Sequence, residues 1–311
     1  MKQNQIYKTI AIGIAALALA GCPSEKKDEA PKPAGTGAGR SVVYVSNYPL
    51  KYFAERVALP LVEVRFVAGA ADDPAYWKPK AEDVSAMQQA DLIVLNGASY
   101  EQWLNNVSLP QSKLVDTSAG FHDKWIPLEE TITHSHGLEG KHEHSGIAFT
   151  TWLDMTLAIE QARAVKDALA ARWPEHKAQF TNQFEKLEKD LKTLDEHIAA
   201  VTSKAPDRPV IFSHPVYQYF QRRYDVNGKS VHWEPDEMPD EAMWSEFLEQ
   251  LKQHSAKWMI WEGKPLQSIV DKLQALGVNS AVVDPCGNVP DDGDFLGIMS
   301  QNIVSLRRVY Q

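Results

Sequence analysis

Short apolar runs alternate with amphipathic stretches along most of this chain. Residues 41–46, 62–67 and 91–96 read as strands, and the stretches 51–58 and 82–90 between them read as helices. The same texture returns in the second half. There, 209–213, 257–261 and 280–284 are strand-like, with helical patterns at 243–254 and 266–276. Strands that are apolar on both faces and alternate with helices point to parallel α/β sheets. Between the halves, residues 174–201 form the longest helical stretch. Pro174 suits a first helical turn, and Leu187, Leu191, Leu194 and Ile198 mark one apolar face. A helix of that length spans roughly 40 Å, enough to carry two lobes. The pattern therefore predicts an α/β fold of two lobes with parallel sheets, joined by one long rigid helix, with a ligand cleft between them.

Composition narrows the class. The 311 residues are 44% hydrophobic with only two cysteines, which excludes a disordered chain and a disulfide scaffold. Lys and Arg number 32 against 41 Asp and Glu, a formal charge of −9 with no basic run, so nucleic acid is not an expected partner. At the N-terminus, Lys2 and Lys8 precede an apolar run at 9–20 that is short for a membrane span. This reads as a secretory signal. It ends in Leu19-Ala20-Gly21-Cys22, which resembles the bacterial lipobox and predicts lipidation at Cys22; an ordinary signal peptide with a chance Cys is the alternative. The expected organisation is a signal at 1–21, a Pro/Gly/Ala/Lys-rich tether at 22–40 and an N-terminal lobe at 41–150. A helical segment at 151–204 and a C-terminal lobe at 205–311 follow. The expected location is extracytoplasmic, anchored to a bacterial membrane by lipid, on the periplasmic side in a Gram-negative cell.

The histidines carry the chemistry. Four of the ten, His134, His136, His142 and His144, fall within eleven consecutive residues of a Gly-rich segment, 133–145, that reads as a loop. Clustered imidazoles suit a borderline cation such as Zn²⁺. The competing reading is a solvated polar loop. His214 follows one strand and Asp284 ends another, and ligands of open α/β sheets bind beyond the carboxyl ends of strands. His232 and Glu234 add donors in what otherwise reads as an acidic turn. Glu262, after the strand at 257–261, is placed to support a ligand by hydrogen bonding. Cys286, the one cysteine of the body, reads as a small buried apolar side chain, with soft metal ligation as the alternative. His122, His176, His197 and His254 read as surface residues.

Several motifs in order carry a resemblance. They are Tyr48-Pro49-Leu50, Asp73-Pro74 with Pro79, the run 90–97, and Tyr100-Glu101 with Trp103-Leu104. The histidine-rich segment and Trp152-Leu153-Asp154 come next. Phe212-Ser213-His214 with Tyr219-Phe220 and Arg223-Tyr224 follows, and Asp284-Pro285 closes the series. Over essentially the whole body the chain resembles the cluster A-I zinc/manganese substrate-binding proteins of bacterial ABC importers (periplasmic solute-binding protein family 9), as a divergent member. The resemblance implies two lobes bridged by one long helix, no enzymatic activity, a Zn²⁺ or Mn²⁺ ion as cargo and an ABC permease as partner. It implies a cleft site of four side chains, with His214 matching the third and Asp284 the fourth, and a monomer is expected. The other two positions depart from the family: Ala75 stands where the family has His after Asp-Pro, and Thr150 where it has His two residues before Trp. Neither side chain is a zinc ligand. The expectation is a site rebuilt as His136, His144, His214 and Asp284, a four-coordinate set suited to Zn²⁺. His134, His142, His232, Glu234, Glu262 and Cys286 stand in reserve. Loss of ordered metal binding and a different ligand are the competing explanations.

Because the ligands bind metal deprotonated, affinity is expected to fall as pH drops through the imidazole range near 6.5. The alternative function is a metal-buffering or metal-sensing lipoprotein with no transporter. A zinc hydrolase is set aside. Glu143 sits between two histidines, but no helix-borne His-Glu-x-x-His pattern occurs.

Overall fold

The computed structural model describes residues 41–68, 73–128 and 146–311, and the backbone of 132–135 and 141–144. The signal, the tether and Cys22 lie outside the described residues, as does His136.

The first sheet is built from β1 (Val42–Val45), β2 (Glu63–Phe66), β3 (Leu92–Leu95) and β4 (Leu114–Asp116). All its pairings are parallel, in the order β2-β1-β3-β4. Its crossovers are α1 (Tyr48–Ala58), between β1 and β2, and α2 (Ala81–Gln89), between β2 and β3. The start of α1 follows from its sequence. The Asn47 carboxamide accepts from Leu50 N–H at 3.0 Å, and Pro49 occupies the first turn, where no donor is needed.

The second sheet contains β7 (Val210–Phe212), β8 (Gly228–Ser230), β9 (Trp258–Trp261) and β10 (Asn279–Val282), again all parallel, in the order β10-β9-β7-β8. Its crossovers are α5 (Gln218–Tyr224), α6 (Glu241–Gln253) and α7 (Gln267–Ala275). The edge strands β4 and β8 have three residues each; β4 reads Leu-Val-Asp and β8 Gly-Lys-Ser, too short or too polar to stand out as strands in the sequence.

The long helix is present as a short 3₁₀ turn, Pro174–His176, leading into α4 (Lys177–Thr202) of 26 residues. Phe180, Phe184, Leu187, Leu191, Leu194, Ile198 and Val201 are buried along one stripe. α4 packs on α3 (Met155–Arg172), α1 and the C-terminal helix α8 (Phe295–Tyr310). One continuous core runs from Val43 and Val45 of β1 through α4 to Phe212 of β7, Ile260 of β9 and Leu306 of α8. The lobes are thus joined by shared apolar packing as well as by chain.

Two expectations are corrected. The 133–145 segment, read as a loop, holds two short antiparallel strands, β5 (Ile132–Ser135) and β6 (Lys141–His144), with His134 opposite His142 in register. Alternating Thr and His residues can take up a strand pairing despite the neighbouring glycines. His254, read as a surface residue, is buried at the end of α6, and its Nε2 lies 2.9 Å from the Val210 carbonyl. A buried ring nitrogen needs such a partner.

Candidate metal centre

All four strands of the second sheet end on the same side, and the residues just beyond their ends face one another. Taken across the sheet, β10 leads to Asp284, β9 to Glu262, β7 to His214 and the chain after β8 to His232 and Glu234. The sequence places these residues far apart; the parallel topology makes them neighbours.

His214 is buried at 4% exposure, and its Nδ1 lies 3.0 Å from Glu262 Oε1 and 3.6 Å from Glu234 Oε1. Together these three form the one group of metal-capable side chains found among the described residues, with one donor atom from each lying within 4.8 Å of the others. The environment acts on the imidazole in two directions. Burial lowers its pKa, but the Glu262 hydrogen bond and the charges of Glu262, Glu234 and Asp73 outweigh burial and raise it. The His232 ring stands edge-on to His214 with centroids 6.0 Å apart. Desolvation, and then the charge of His214, pull its pKa down to about 4.

Asp284 is not one of the three. It lies one strand beyond Glu262, its Oδ1 accepting from Cys286 N–H at 2.6 Å and its backbone paired in both directions with the Asn302 carboxamide. Burial raises its pKa, with Glu262 and Asp291 adding to the effect. Cys286 is buried in the core at 2% exposure, and burial pushes its thiol well up, so it behaves as the apolar residue expected.

Between the lobes lies a cavity of about 240 Å³. Three carboxylates line it, Asp73, Glu262 and Asp284, together with Thr150, and no Lys or Arg is among the lining residues described. Sequence reasoning used Asp73 only as part of a motif; its place in this wall depends on the turn it makes, in which its Oδ1 accepts from Ala75 N–H at 2.9 Å. The two departures from the family pattern are now visible as structure. Ala75 is packed in the core at 1% exposure, and the Thr150 hydroxyl donates to the Val216 carbonyl across the cleft. The same walls are tied by Trp152 Nε1, which donates to the Pro285 carbonyl at 2.8 Å, and by Tyr48 N–H, which donates to the Gly287 carbonyl at 3.1 Å. The side chains of His134, His142 and His144, like the whole of His136, lie outside the described residues.

A buried imidazole facing two carboxylates, beside an acidic cavity, is an arrangement for holding a divalent cation. Comparison with known proteins agrees. The chain is 24% identical over 306 residues to the zinc-binding lipoprotein AdcA of Streptococcus pneumoniae (strain R6), covering 95% of this chain and 59% of that protein. It thus spans less than two thirds of the streptococcal relative's length. The high-affinity zinc uptake system protein ZnuA of Bacillus subtilis is 24% identical over 283 residues, covering 85% and 86% of the two chains. Among solved structures, the Zn(II)-bound ZnuA-like domain of Streptococcus pneumoniae AdcA superposes with a TM-score of 0.74 at 21% identity, covering 88% of this chain and 99% of that one. The metal-dependent lipoprotein YcdH of Bacillus subtilis gives 0.73 at 19% identity, covering 87% and 99%. Residues 43–309 match the family described as zinc-uptake complex component A, periplasmic, and the chain belongs to that family of binding proteins.

Proposed function

We propose that this protein captures Zn²⁺ outside the cytoplasm and delivers it to an ABC importer. The observation that carries the reading is His214, buried at a strand end between Glu234 and Glu262, beside a cavity walled by further carboxylates. Family membership supports zinc as the cargo, and the donor chemistry fits it: imidazole and carboxylate are both zinc ligands. Mn²⁺ is the lesser alternative. Asp284 serves the cleft from the neighbouring strand. His136 and His144, with His134 and His142, are the proposed first capture point for the ion.

The chain is proposed to act as a monomer held to the membrane by a lipid on Cys22, with the permease docking on the folded body. No helix among the described residues is long and apolar enough to cross a membrane. A buffering or sensing lipoprotein is the second reading, favoured by the missing donors at positions 75 and 150. Zinc uptake in cells lacking the gene separates the two. Loss of high-affinity uptake, restored by the native gene but not by one encoding His214→Ala, is the expected result. Unchanged uptake would sink the transport reading.

A further inference from the structure

We infer that Glu234 is a direct metal ligand in this chain, and that the ion is held from one lobe by His214, Glu234 and Glu262. This deepens the zinc-capture reading and rests on it. The cation class is a borderline divalent ion taken by one nitrogen and two carboxylate donors, with the remaining position open to water.

The placement of Glu234 follows from how the chain leaves β8. Val231 N–H donates to the Phe212 carbonyl at 2.9 Å and Trp233 N–H to the Ser213 carbonyl at 2.8 Å, so the segment runs extended beside the end of β7. Side chains alternate across an extended segment. Val231 and Trp233 point into the core, Trp233 at 1% exposure with its ring edge-on to Trp244 and tilted against Phe247 and Trp261. Glu234 therefore projects from the opposite face, toward His214. On the other flank, Glu262 directly follows β9, whose Ile260 carbonyl accepts from Ser213 N–H at 2.8 Å. Backbone pairing on both sides thus fixes where the two carboxylates sit.

The spacing fits a metal. Bonds of 2.0–2.1 Å in a tetrahedral shell separate donor atoms by about 3.3 Å. The distances from His214 Nδ1 to the two carboxylate oxygens, 3.0 and 3.6 Å, straddle that value. The opposite lobe offers less, since Ala75 is apolar and the Thr150 hydroxyl is engaged with Val216. The ligand set has moved onto the second sheet, where three adjacent strand ends each supply one donor.

Zinc K-edge X-ray absorption on the whole purified chain with one equivalent of Zn²⁺ tests this, because it counts imidazoles at the ion. The native chain is expected to show one imidazole with oxygen donors, and Glu234→His to show two at the same stoichiometry. Glu234→Gln is expected to weaken zinc about tenfold or more in a competition titration. A native count of two or more, or no gain of an imidazole in Glu234→His, would overturn the inference while leaving zinc capture intact. A native chain that binds no zinc tightly would overturn the functional reading itself.

Discussion

The Trp152 indole N–H and the Pro285 carbonyl meet at 2.8 Å, joining the segment that carries Thr150 to the one that carries Asp284. Trp152 is buried at 2% exposure and packs edge-on to Tyr100, with ring centroids 5.8 Å apart. Replacing it with Phe leaves a buried carbonyl without its donor and removes part of a packed ring. Trp152→Phe should cost about 2–3 kcal/mol. Chemical denaturation measures this, and an unchanged midpoint would show that the cleft walls are held by other contacts.

Thr150 lines the cavity with Glu262 and Asp284. Thr150→His would restore an imidazole where the family resemblance expects one and give the ion a further nitrogen donor. Zinc affinity should rise about tenfold or more, read by competition with a chromophoric chelator. Equal affinity would mean that position 150 does not reach the ion in this chain.

Glu101 is buried, with its carboxylate accepting from Asn96 N–H at 2.6 Å and Gly97 N–H at 3.2 Å. Desolvation outweighs these bonds and pushes its pKa up to about 7 from 4.5. Between those values the folded chain binds more protons than the unfolded one, so stability falls as pH rises from 4.5 to 7. A shift of that size corresponds to a loss on the order of 3 kcal/mol. Denaturation at pH 5 and pH 7.5 should show this slope in the native chain, with a flatter one in Glu101→Gln. Identical slopes would assign the pH dependence to other groups.

Leu191 lies in the middle of the buried stripe of α4, with 0% exposure, in the core that both sheets share. Leu191→Ala should destabilise by about 2–5 kcal/mol. Because that core spans both lobes, unfolding should remain a single transition. Two separate transitions in calorimetry would show that the lobes fold independently.

Much of this architecture was legible because it rests on long periodic signals. The leucines of α4 and the apolar runs of β1, β3, β7 and β9 predict the two-lobe plan. The candidate site was legible only in part. His214 and Glu262 follow recognisable strands, but the position of Glu234 depends on β8, a Gly-Lys-Ser edge strand recognisable only through its pairing with β7. Asp284 and His214 look alike in sequence, each at the end of an apolar strand, yet the sheet order puts Glu262 between them. The burial of His254 was invisible for the same reason, since it arises from a contact with Val210 that no local pattern announces.

Zinc titration of the native chain, of His214→Ala and of a chain lacking residues 133–145 tests the central claim most directly. One tight zinc per chain is expected, lost in His214→Ala and kept without the histidine-rich segment. Tight binding that survives His214→Ala, or that disappears with the segment alone, would contradict a site built on the ends of the second sheet.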